Sequence, residues 1–173
     1  MSELTLAFVQ AALNAPVGAQ ADVATRIITD SREAKAGDVF VALVGEQFDG
    51  HDYVADVLAK GVAAVIVSRE VVAGDARQIM VADTLAALGQ IAQAWRLKWN
   101  PKIVALTGSN GKTTVKEMCA AILREAVGED AVLATAGNFN NEIGMPLTLL
   151  RLQAVHKVAV LEMGMNHFGE LAR

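Results

Sequence analysis

Apolar and polar residues alternate along this chain in segments that predict strands and helices in turn. Residues 38–44, DVFVALV, are rich in β-branched and apolar side chains and predict a strand. Residues 62–68, VAAVIVS, form a continuous apolar run of the kind found in strands buried on both faces. A short helix is predicted over residues 52–60, between these two strands. This order indicates a parallel α/β fold.

A longer helix is predicted over residues 84–99, after a strand at residues 78–82. Asp83 is suited to cap its first turn, and Asn100 with the following proline ends the pattern. Apolar positions recur at helical spacing: Leu85, Leu88, Ile91, Ala92 and Trp95. We place a domain boundary at residues 82–83, which gives a small first domain over residues 1–82 and a second domain over residues 83–173.

The second part of the chain continues the alternation. Strands are predicted at residues 102–107, 131–136 and 157–163, and helices at residues 113–126 and 145–152. The expected product is a second parallel sheet.

Composition and charge exclude several classes of protein. Hydrophobic residues make up 53% of the chain, yet no apolar run reaches the roughly 18 residues expected of a membrane helix, so we expect a soluble protein without membrane insertion. The first residues, MSELTLAFVQ, lack the basic start of a secretory signal, which favours the cytoplasm. A net charge of −4 without a basic cluster argues against nucleic acid as a partner.

The stretch TGSNGKTT, residues 107–114, carries the strongest chemical signal. It connects a predicted strand to a predicted helix, an arrangement in which backbone N–H groups and the helix dipole favour phosphate. Lys112 would reach the terminal phosphates of a nucleotide, and the Thr113 hydroxyl would ligate magnesium. The common phosphate-loop pattern has a glycine where this chain has Leu106. The alternative is a surface turn that bears a lysine and caps a helix.

The sequence TGSNGKTT resembles the Mur ligases, the ATP-dependent amide-forming enzymes of peptidoglycan precursor synthesis. Residues 29–68 look like the uridine-nucleotide domain of the later ligases of that pathway. Residues 137–150, GNFNNEIGMPLTLL, and residues 161–171, LEMGMNHFGEL, are similar to the member that adds D-alanyl-D-alanine. The resemblance implies a small α/β uridine-nucleotide domain followed by an incomplete P-loop-type parallel-sheet ATPase domain.

The resemblance also implies roles for individual residues. Lys112 and Glu162 would be catalytic, and Thr113 and Glu162 would ligate Mg²⁺. ATP would be bound by Gly108, Ser109, Asn110, Gly111, Lys112, Thr113 and Thr114. The substrate-binding residues would be Thr29, Ser31, Arg32, Gln47, Asn138, Asn140 and Asn141. Asn166 and His167 follow Glu162 closely and either line the same site or cap a helix.

Ordinary structural roles remain open for some of these residues. Glu162 alone would suit the cap of a following helix, and asparagines beside glycine suit an ordinary turn.

The reaction implied by the resemblance joins two substrates, UDP-N-acetylmuramoyl-tripeptide and D-alanyl-D-alanine. ATP would convert the carboxylate that ends the tripeptide into an acyl phosphate, which the amine of D-alanyl-D-alanine would attack. The enzyme would act as a monomer in cell wall biogenesis and so in cell shape and cell division. Because Mur ligases are several hundred residues long, we expect residues 1–173 to be the N-terminal part of one and to be inactive alone.

Two other functions are compatible with parts of the sequence. A small P-loop kinase or NTPase would explain Lys112, and a standalone UDP-sugar binding module would explain residues 1–82. The kinase should show a lid or guanine-reading segment after the loop, and the module would leave Lys112 and Glu162 without a role.

Overall fold

The computed structural model describes residues 4–16 and 25–164, which form two parallel β-sheets with flanking helices. These residues divide into two compact units, and the division falls inside one helix, between Ile91 and Ala92. Each unit therefore has a sheet of its own. The prediction of an α/β fold is confirmed.

The first unit contains a four-stranded parallel sheet formed, in spatial order, by β1 (Ile27–Ile28), β2 (Val39–Val41), β3 (Ala64–Val67) and β4 (Gln78–Met80). Its sheet residues are almost all buried, which explains why the β3 segment is continuously apolar. In chain order the elements are α1 (Leu6–Ala12), β1 (Ile27–Ile28), β2 (Val39–Val41), α2 (Val54–Ala59), β3 (Ala64–Val67) and β4 (Gln78–Met80). The helix α1 had no counterpart in the sequence prediction, and it is capped by the Thr5 hydroxyl, which accepts from the Phe8 N–H at 3.3 Å.

A buried histidine fastens the loop that follows β2 to the end of β3. His51 is 1% exposed, and its Nε2 accepts a hydrogen bond from the Ser68 main-chain N–H at 2.9 Å. Because Nε2 accepts, Nδ1 carries the proton and donates to Asp49 Oδ1 at 2.6 Å. Hydrogen bonds from the His51 main-chain N–H and from Arg69 lower the pKa of Asp49 to about 2. The Ser68 hydroxyl is farther from Nε2, at 3.2 Å, so the main-chain contact holds the ring.

We expect the change His51→Phe to destabilise the 173-residue chain by about 2 kcal/mol, because two hydrogen bonds of the buried ring are lost, one from the Ser68 N–H and one to Asp49 Oδ1. The change Ser68→Ala removes only the longer hydroxyl contact and serves as the matched control, with an expected effect within about 0.5 kcal/mol. Urea unfolding followed by circular dichroism measures both. Equal midpoints for His51→Phe and the unchanged chain would contradict the assigned role of the ring.

Helix α3 (Thr84–Trp99) has the predicted bounds. Asp83 Oδ1 accepts from the Leu85 and Ala86 N–H groups at 2.8 and 3.0 Å, which confirms the predicted cap. At the other end Asn100 has a φ of 45°, which ends the helix. The same helix contributes residues to both units, so the predicted boundary at residues 82–83 stays a prediction.

The second unit contains a three-stranded parallel sheet formed, in spatial order, by β5 (Lys102–Leu106), β7 (Val158–Glu162) and β6 (Val132–Ala134). The strand last in sequence therefore lies in the middle, and its five residues are all buried. The elements are β5 (Lys102–Leu106), α4 (Lys112–Val127), β6 (Val132–Ala134), α5 (Gly144–Leu149) and β7 (Val158–Glu162). Predicted and observed elements agree in type, and the observed strands are shorter than predicted.

Register brings the carboxyl ends of β5 and β7 side by side. Leu106 pairs with Glu162, and the Met163 N–H donates to the Leu106 carbonyl at 2.8 Å. Strand β6 ends on the other side of β7, where the Thr135 N–H donates to the Val160 carbonyl at 3.0 Å. The loops that follow the three strands therefore leave from one edge of the sheet. None of the helices within residues 4–16 and 25–164 is long and apolar enough to cross a membrane.

Candidate phosphate site

The loop between β5 and α4 has the geometry of an anion site. Gly111 has a φ of 75°, a left-handed conformation that favours glycine, and α4 begins at the next residue, Lys112. Gly111 provides no side chain to cap the helix, so the first N–H groups of α4 are open to an external acceptor. The positive end of the helix dipole lies at the same point. A phosphate oxygen satisfies both features.

The side chains of this loop have the exposure that a ligand-facing loop needs. Lys112 is half-buried, and its Nζ donates to the Gly108 carbonyl at 2.7 Å, so the amine lies over the loop itself. The remaining predicted ATP-binding residues are all exposed: Gly108, Ser109, Asn110, Gly111, Thr113 and Thr114.

Glu162 is a buried carboxylate with one oxygen unpartnered. The residue is 2% exposed, and its Oε1 accepts from Asn140 Nδ2 at 2.9 Å. Within the part of the chain that the structure describes, Oε2 is buried and has no hydrogen-bond partner. Burial of such an oxygen is costly unless a cation or donor reaches it. Glu162 lies next to the last residue of β5, directly before the phosphate loop.

The loop between β6 and α5 brings one of the three predicted asparagines to Glu162. Asn140 contacts the carboxylate through its side chain, and its carbonyl accepts from the Gly164 N–H at 2.7 Å. Asn141 instead contacts the main chain at the start of α5, where its Oδ1 accepts from the Gly144 N–H at 2.7 Å. Asn138 is exposed.

Gly144 allows this loop to fold closely onto itself. A Cβ at this position would lie 2.5 Å from the Cα of Phe139, a distance that no side chain tolerates. The glycine of the segment NNEIG is therefore required by close backbone packing.

The predicted substrate residues of the first unit follow β1 and β2 at the carboxyl edge of their sheet. Thr29 and Ser31 are half-buried, and the Ser31 carbonyl accepts from Lys60 Nζ at 2.8 Å. The Arg32 side chain is 86% exposed and forms an ion pair with Asp30 at 2.6 Å. Hydrogen bonds from Arg32 lower the pKa of Asp30 to about 2. An anionic ligand of Arg32 would therefore compete with Asp30.

Gln47 is exposed in the loop after β2. This loop is closed at its base, where the Gly45 N–H donates to the Phe48 carbonyl at 2.9 Å. Val44 and Asp49 form an isolated antiparallel β-bridge there. The first unit thus presents Gln47 and the residues after β1 at one sheet edge. The other candidate residues, Lys112, Asn140 and Glu162, belong to the second unit. Asn166 and His167 lie outside the described residues.

Two buried residues near Glu162 were missed by the sequence interpretation. Lys116 is 1% exposed and donates through Nζ to the Thr135 carbonyl at 2.7 Å. Thr135 is 2% exposed, and its Oγ1 accepts from the Glu162 N–H at 3.0 Å. One signal was available, because Lys116 lies at helical spacing from the apolar positions Ala120 and Leu123 and so falls on the inward face of α4.

The residues present are compatible with Mg²⁺ bound together with a nucleotide. Among the described residues no group of three or more His, Cys, Asp or Glu side chains could hold a metal ion. Mg²⁺ commonly uses only one or two protein carboxylates, and phosphate oxygens and water complete its shell. The unpartnered Oε2 of Glu162 and the exposed hydroxyl of Thr113 suit this kind of site.

A parallel sheet, a glycine-containing loop and a helix that starts at the loop lysine define an α/β protein of the phosphate-loop type. Family comparison makes this assignment specific: residues 24–96 match the model described as Mur ligase family, catalytic domain, and residues 106–173 match the Mur ligase middle domain. The chain belongs to the Mur ligase family.

Curated relatives carry the name UDP-N-acetylmuramoyl-tripeptide–D-alanyl-D-alanine ligase. The protein of that name from Haemophilus influenzae is 49% identical over 147 residues, which cover 84% of this chain and 32% of the relative. The Bacillus subtilis protein is 43% identical over 147 residues, with the same shares of 84% and 32%. The chain therefore spans about a third of the length of these relatives.

Solved structures give the same relationship. A crystal structure of MurF from Acinetobacter baumannii has a TM-score of 0.87 and 41% identity, and it covers 99% of this chain and 38% of the MurF chain. The MurF ligase from Thermotoga maritima in complex with ADP has a TM-score of 0.78 and 34% identity. The match covers 86% of this chain and 34% of the Thermotoga maritima chain.

Proposed function

We propose that the full-length protein is the ATP-dependent ligase that adds D-alanyl-D-alanine to UDP-N-acetylmuramoyl-tripeptide. The observation that carries the proposal is Glu162, a buried carboxylate with one oxygen that has no partner among the described residues. Glu162 is adjacent in the sheet to the strand that leads into the phosphate loop. A carboxylate in this position needs a cation, and the adjacent loop suits a nucleotide phosphate. The names of the relatives supply the two substrates.

Each candidate site residue of the second unit has a distinct role in this proposal. The loop from Gly108 to Thr114 holds the phosphates of ATP through N–H groups, and Lys112 stabilises the negative charge that grows on the transferred phosphoryl group. Thr113 and Glu162 would hold Mg²⁺, which supplies positive charge that offsets repulsion between the phosphates and the substrate carboxylate. Asn140 orients Glu162 through its 2.9 Å hydrogen bond.

The remaining asparagines and the residues of the first unit would orient the UDP-linked tripeptide. Asn138 and Asn141 belong to the loop that carries Asn140. Thr29, Ser31, Arg32 and Gln47 would bind the uridine diphosphate portion, because hydroxyl and amide groups suit uracil and a guanidinium suits phosphate. Binding energy from this distant handle would orient the tripeptide carboxylate for attack on ATP. The acyl phosphate so formed would react with the amine of D-alanyl-D-alanine.

The wider setting is part of the same proposal. The ligase would act as a monomer in the cytoplasm, where its nucleotide substrates occur, and its product would serve cell wall synthesis, cell shape and cell division. The expectation that residues 1–173 are inactive by themselves stays a prediction.

Two binding titrations and one reaction test the function. The 173-residue chain is titrated with UDP and with Mg-ATP, and the full-length protein is incubated with UDP-N-acetylmuramoyl-tripeptide, D-alanyl-D-alanine and Mg-ATP. We expect binding of both nucleotides, a product whose mass equals the sum of both substrates less water, and release of ADP and phosphate. The reaction without D-alanyl-D-alanine is the control and should give no ligated product.

The other functions give different results in the same measurements. A P-loop kinase or NTPase would bind Mg-ATP but not UDP, and a UDP-sugar binding module would bind UDP but not Mg-ATP. Binding of one nucleotide alone, with no ligated product, would refute the ligase.

A further inference from the structure

Lys116 is a buried lysine for which neither the loop motif nor the proposed chemistry gives a reason. It lies one helical turn after Lys112 on α4, and 1% of it is exposed. Lysine is rarely buried to this extent unless it is paired, because removal of an ammonium group from water is costly. The contacts of Nζ therefore indicate what the residue does.

Among the described residues, Lys116 Nζ makes one buried and one exposed polar contact. Nζ donates to the Thr135 carbonyl at 2.7 Å and forms an ion pair with Glu117 Oε1 at 2.8 Å. The Glu117 side chain is 59% exposed, so solvent weakens this pair, although the hydrogen bond from Lys116 lowers the pKa of Glu117. The bond to Thr135 is shielded from water at both ends, and it is the stronger constraint.

Thr135 passes this constraint on to Glu162. Its Oγ1 accepts from the Glu162 N–H at 3.0 Å, and its own N–H donates to the Val160 carbonyl at 3.0 Å. The residue after β6 thus holds the end of β7 by two hydrogen bonds. Lys116 is joined to the Glu162 main chain through a single residue.

Few other contacts hold the Glu162 side chain. Asn140 binds one carboxylate oxygen, and the other is unpartnered among the described residues. The direction of the carboxylate therefore depends strongly on where the main chain of Glu162 lies. Loss of one main-chain anchor should turn or shift the unpartnered oxygen.

We propose that Lys116 is a positioning residue, which fixes the distance between the helix of the phosphate loop and Glu162 through Thr135. The loop of residues 107–111 continues into α4, so any shift of α4 relative to β6 moves the loop relative to Glu162. A methionine at position 116 would fill the same space but would leave the Thr135 carbonyl without its donor. This inference rests on the proposed function, in which the loop and Glu162 bind the same Mg-nucleotide.

The test compares four single variants of the full-length protein and the double variant of Lys116→Met with Thr135→Val. Lys116→Met removes the donor, and Thr135→Val removes the hydroxyl that receives the Glu162 N–H. Thr135→Ser keeps that hydroxyl and is the conservative variant. Glu117→Gln removes only the exposed ion-pair partner of Lys116 and is the matched control.

The first measurement is the Mg²⁺ concentration that gives half-maximal ligase activity. We expect Lys116→Met and Thr135→Val each to raise it about 10-fold or more, which is the effect of losing a residue that orients a metal ligand. The double variant should show little further increase, because both changes act on one chain of hydrogen bonds. Thr135→Ser and Glu117→Gln should stay within about twofold of the unchanged protein.

The second measurement does not depend on activity. Hydrogen exchange of the Glu162 amide, measured by NMR without Mg²⁺ or nucleotide, should become about 10-fold faster or more in Lys116→Met and Thr135→Val than in Glu117→Gln. A lysine with a merely structural role would lower the melting temperature and leave the Mg²⁺ requirement unchanged. That result, or unchanged exchange of the Glu162 amide in Lys116→Met, would overturn the proposal.

Failure of the proposed function is recognised separately. If the unchanged protein makes no ligated product, the ligase proposal fails, and the exchange of the Glu162 amide still decides whether Lys116 holds Glu162. If Lys116→Met does not fold, Lys116→Gln takes its place, because the shorter amide side chain withdraws the donor from the Thr135 carbonyl and keeps a polar group at this position.

Discussion

Replacement of Lys112 by alanine in the full-length protein is expected to lower turnover about 10³-fold and to leave binding of the UDP-linked substrate nearly unchanged. Lys112 begins α4, and its one described side-chain hydrogen bond joins Nζ to the Gly108 carbonyl at 2.7 Å. Its charge would act on negative charge that grows during phosphoryl transfer. The loss should therefore appear in kcat, and the substrate residues of the first unit should keep their affinity.

Steady-state kinetics and calorimetric titration with UDP-N-acetylmuramoyl-tripeptide separate the two effects. Lys102→Ala is the control, since Lys102 is an exposed lysine on the strand that leads into the same loop. It should retain nearly full turnover. A Lys112→Ala protein with normal turnover, or one that loses affinity for the UDP-linked substrate as severely as turnover, would contradict the division of roles between the two units.

Replacement of Glu162 by glutamine is expected to weaken activation by Mg²⁺ and to preserve the fold. The amide oxygen can still accept from Asn140, but the charge that would attract the cation is lost. The Mg²⁺ concentration for half-maximal activity should rise about 10-fold or more, as expected when a metal site loses a ligand charge. Unchanged activation by Mg²⁺ would remove Glu162 from the metal site.

The same change should affect stability in the opposite direction to activity. In metal-free buffer the Glu162 side chain of the 173-residue chain buries an oxygen that has no partner among the described residues. A neutral amide in its place should increase the free energy of unfolding by about 1 kcal/mol, because burial of an amide costs less than burial of a carboxylate. Thermal unfolding measures this, with Glu125→Gln on the exposed face of α4 as the control. A clear loss of stability in Glu162→Gln would mean that the carboxylate is structural.

Local sequence patterns were sufficient for most secondary structure. The helix at Thr84–Trp99 was predicted with its observed bounds because the apolar spacing, the Asp83 cap and the Asn100 stop all act within one segment. The buried strand β3 was predicted for a similar reason, since a strand covered on both faces has no polar positions. Helix α1 was missed, because its seven residues are too few for the helical spacing of apolar positions to be distinctive.

The candidate site divides in the same way between local pattern and tertiary contact. The phosphate loop could be predicted from its residues, because the glycines, Lys112 and Thr113 lie within six consecutive positions, 108–113, and the conformation at Gly111 is a local property. The hydrogen bond between Asn140 and Glu162 was not predicted, and the two residues are 22 positions apart in sequence. Their contact depends on which strands are neighbours.

The sequence by itself determined the two α/β units, the phosphate loop and the strand that ends at Glu162, because each is encoded by short-range spacing of apolar, glycine and capping residues. Only the tertiary structure decided that β7 lies between β5 and β6, because no local sequence pattern specifies the order of parallel strands in a sheet. That order buries Glu162 and brings Thr135 to its main chain. It also makes Lys116, one of the two lysines of α4, a buried donor, because burial depends on the elements that pack against α4 and not on α4 alone.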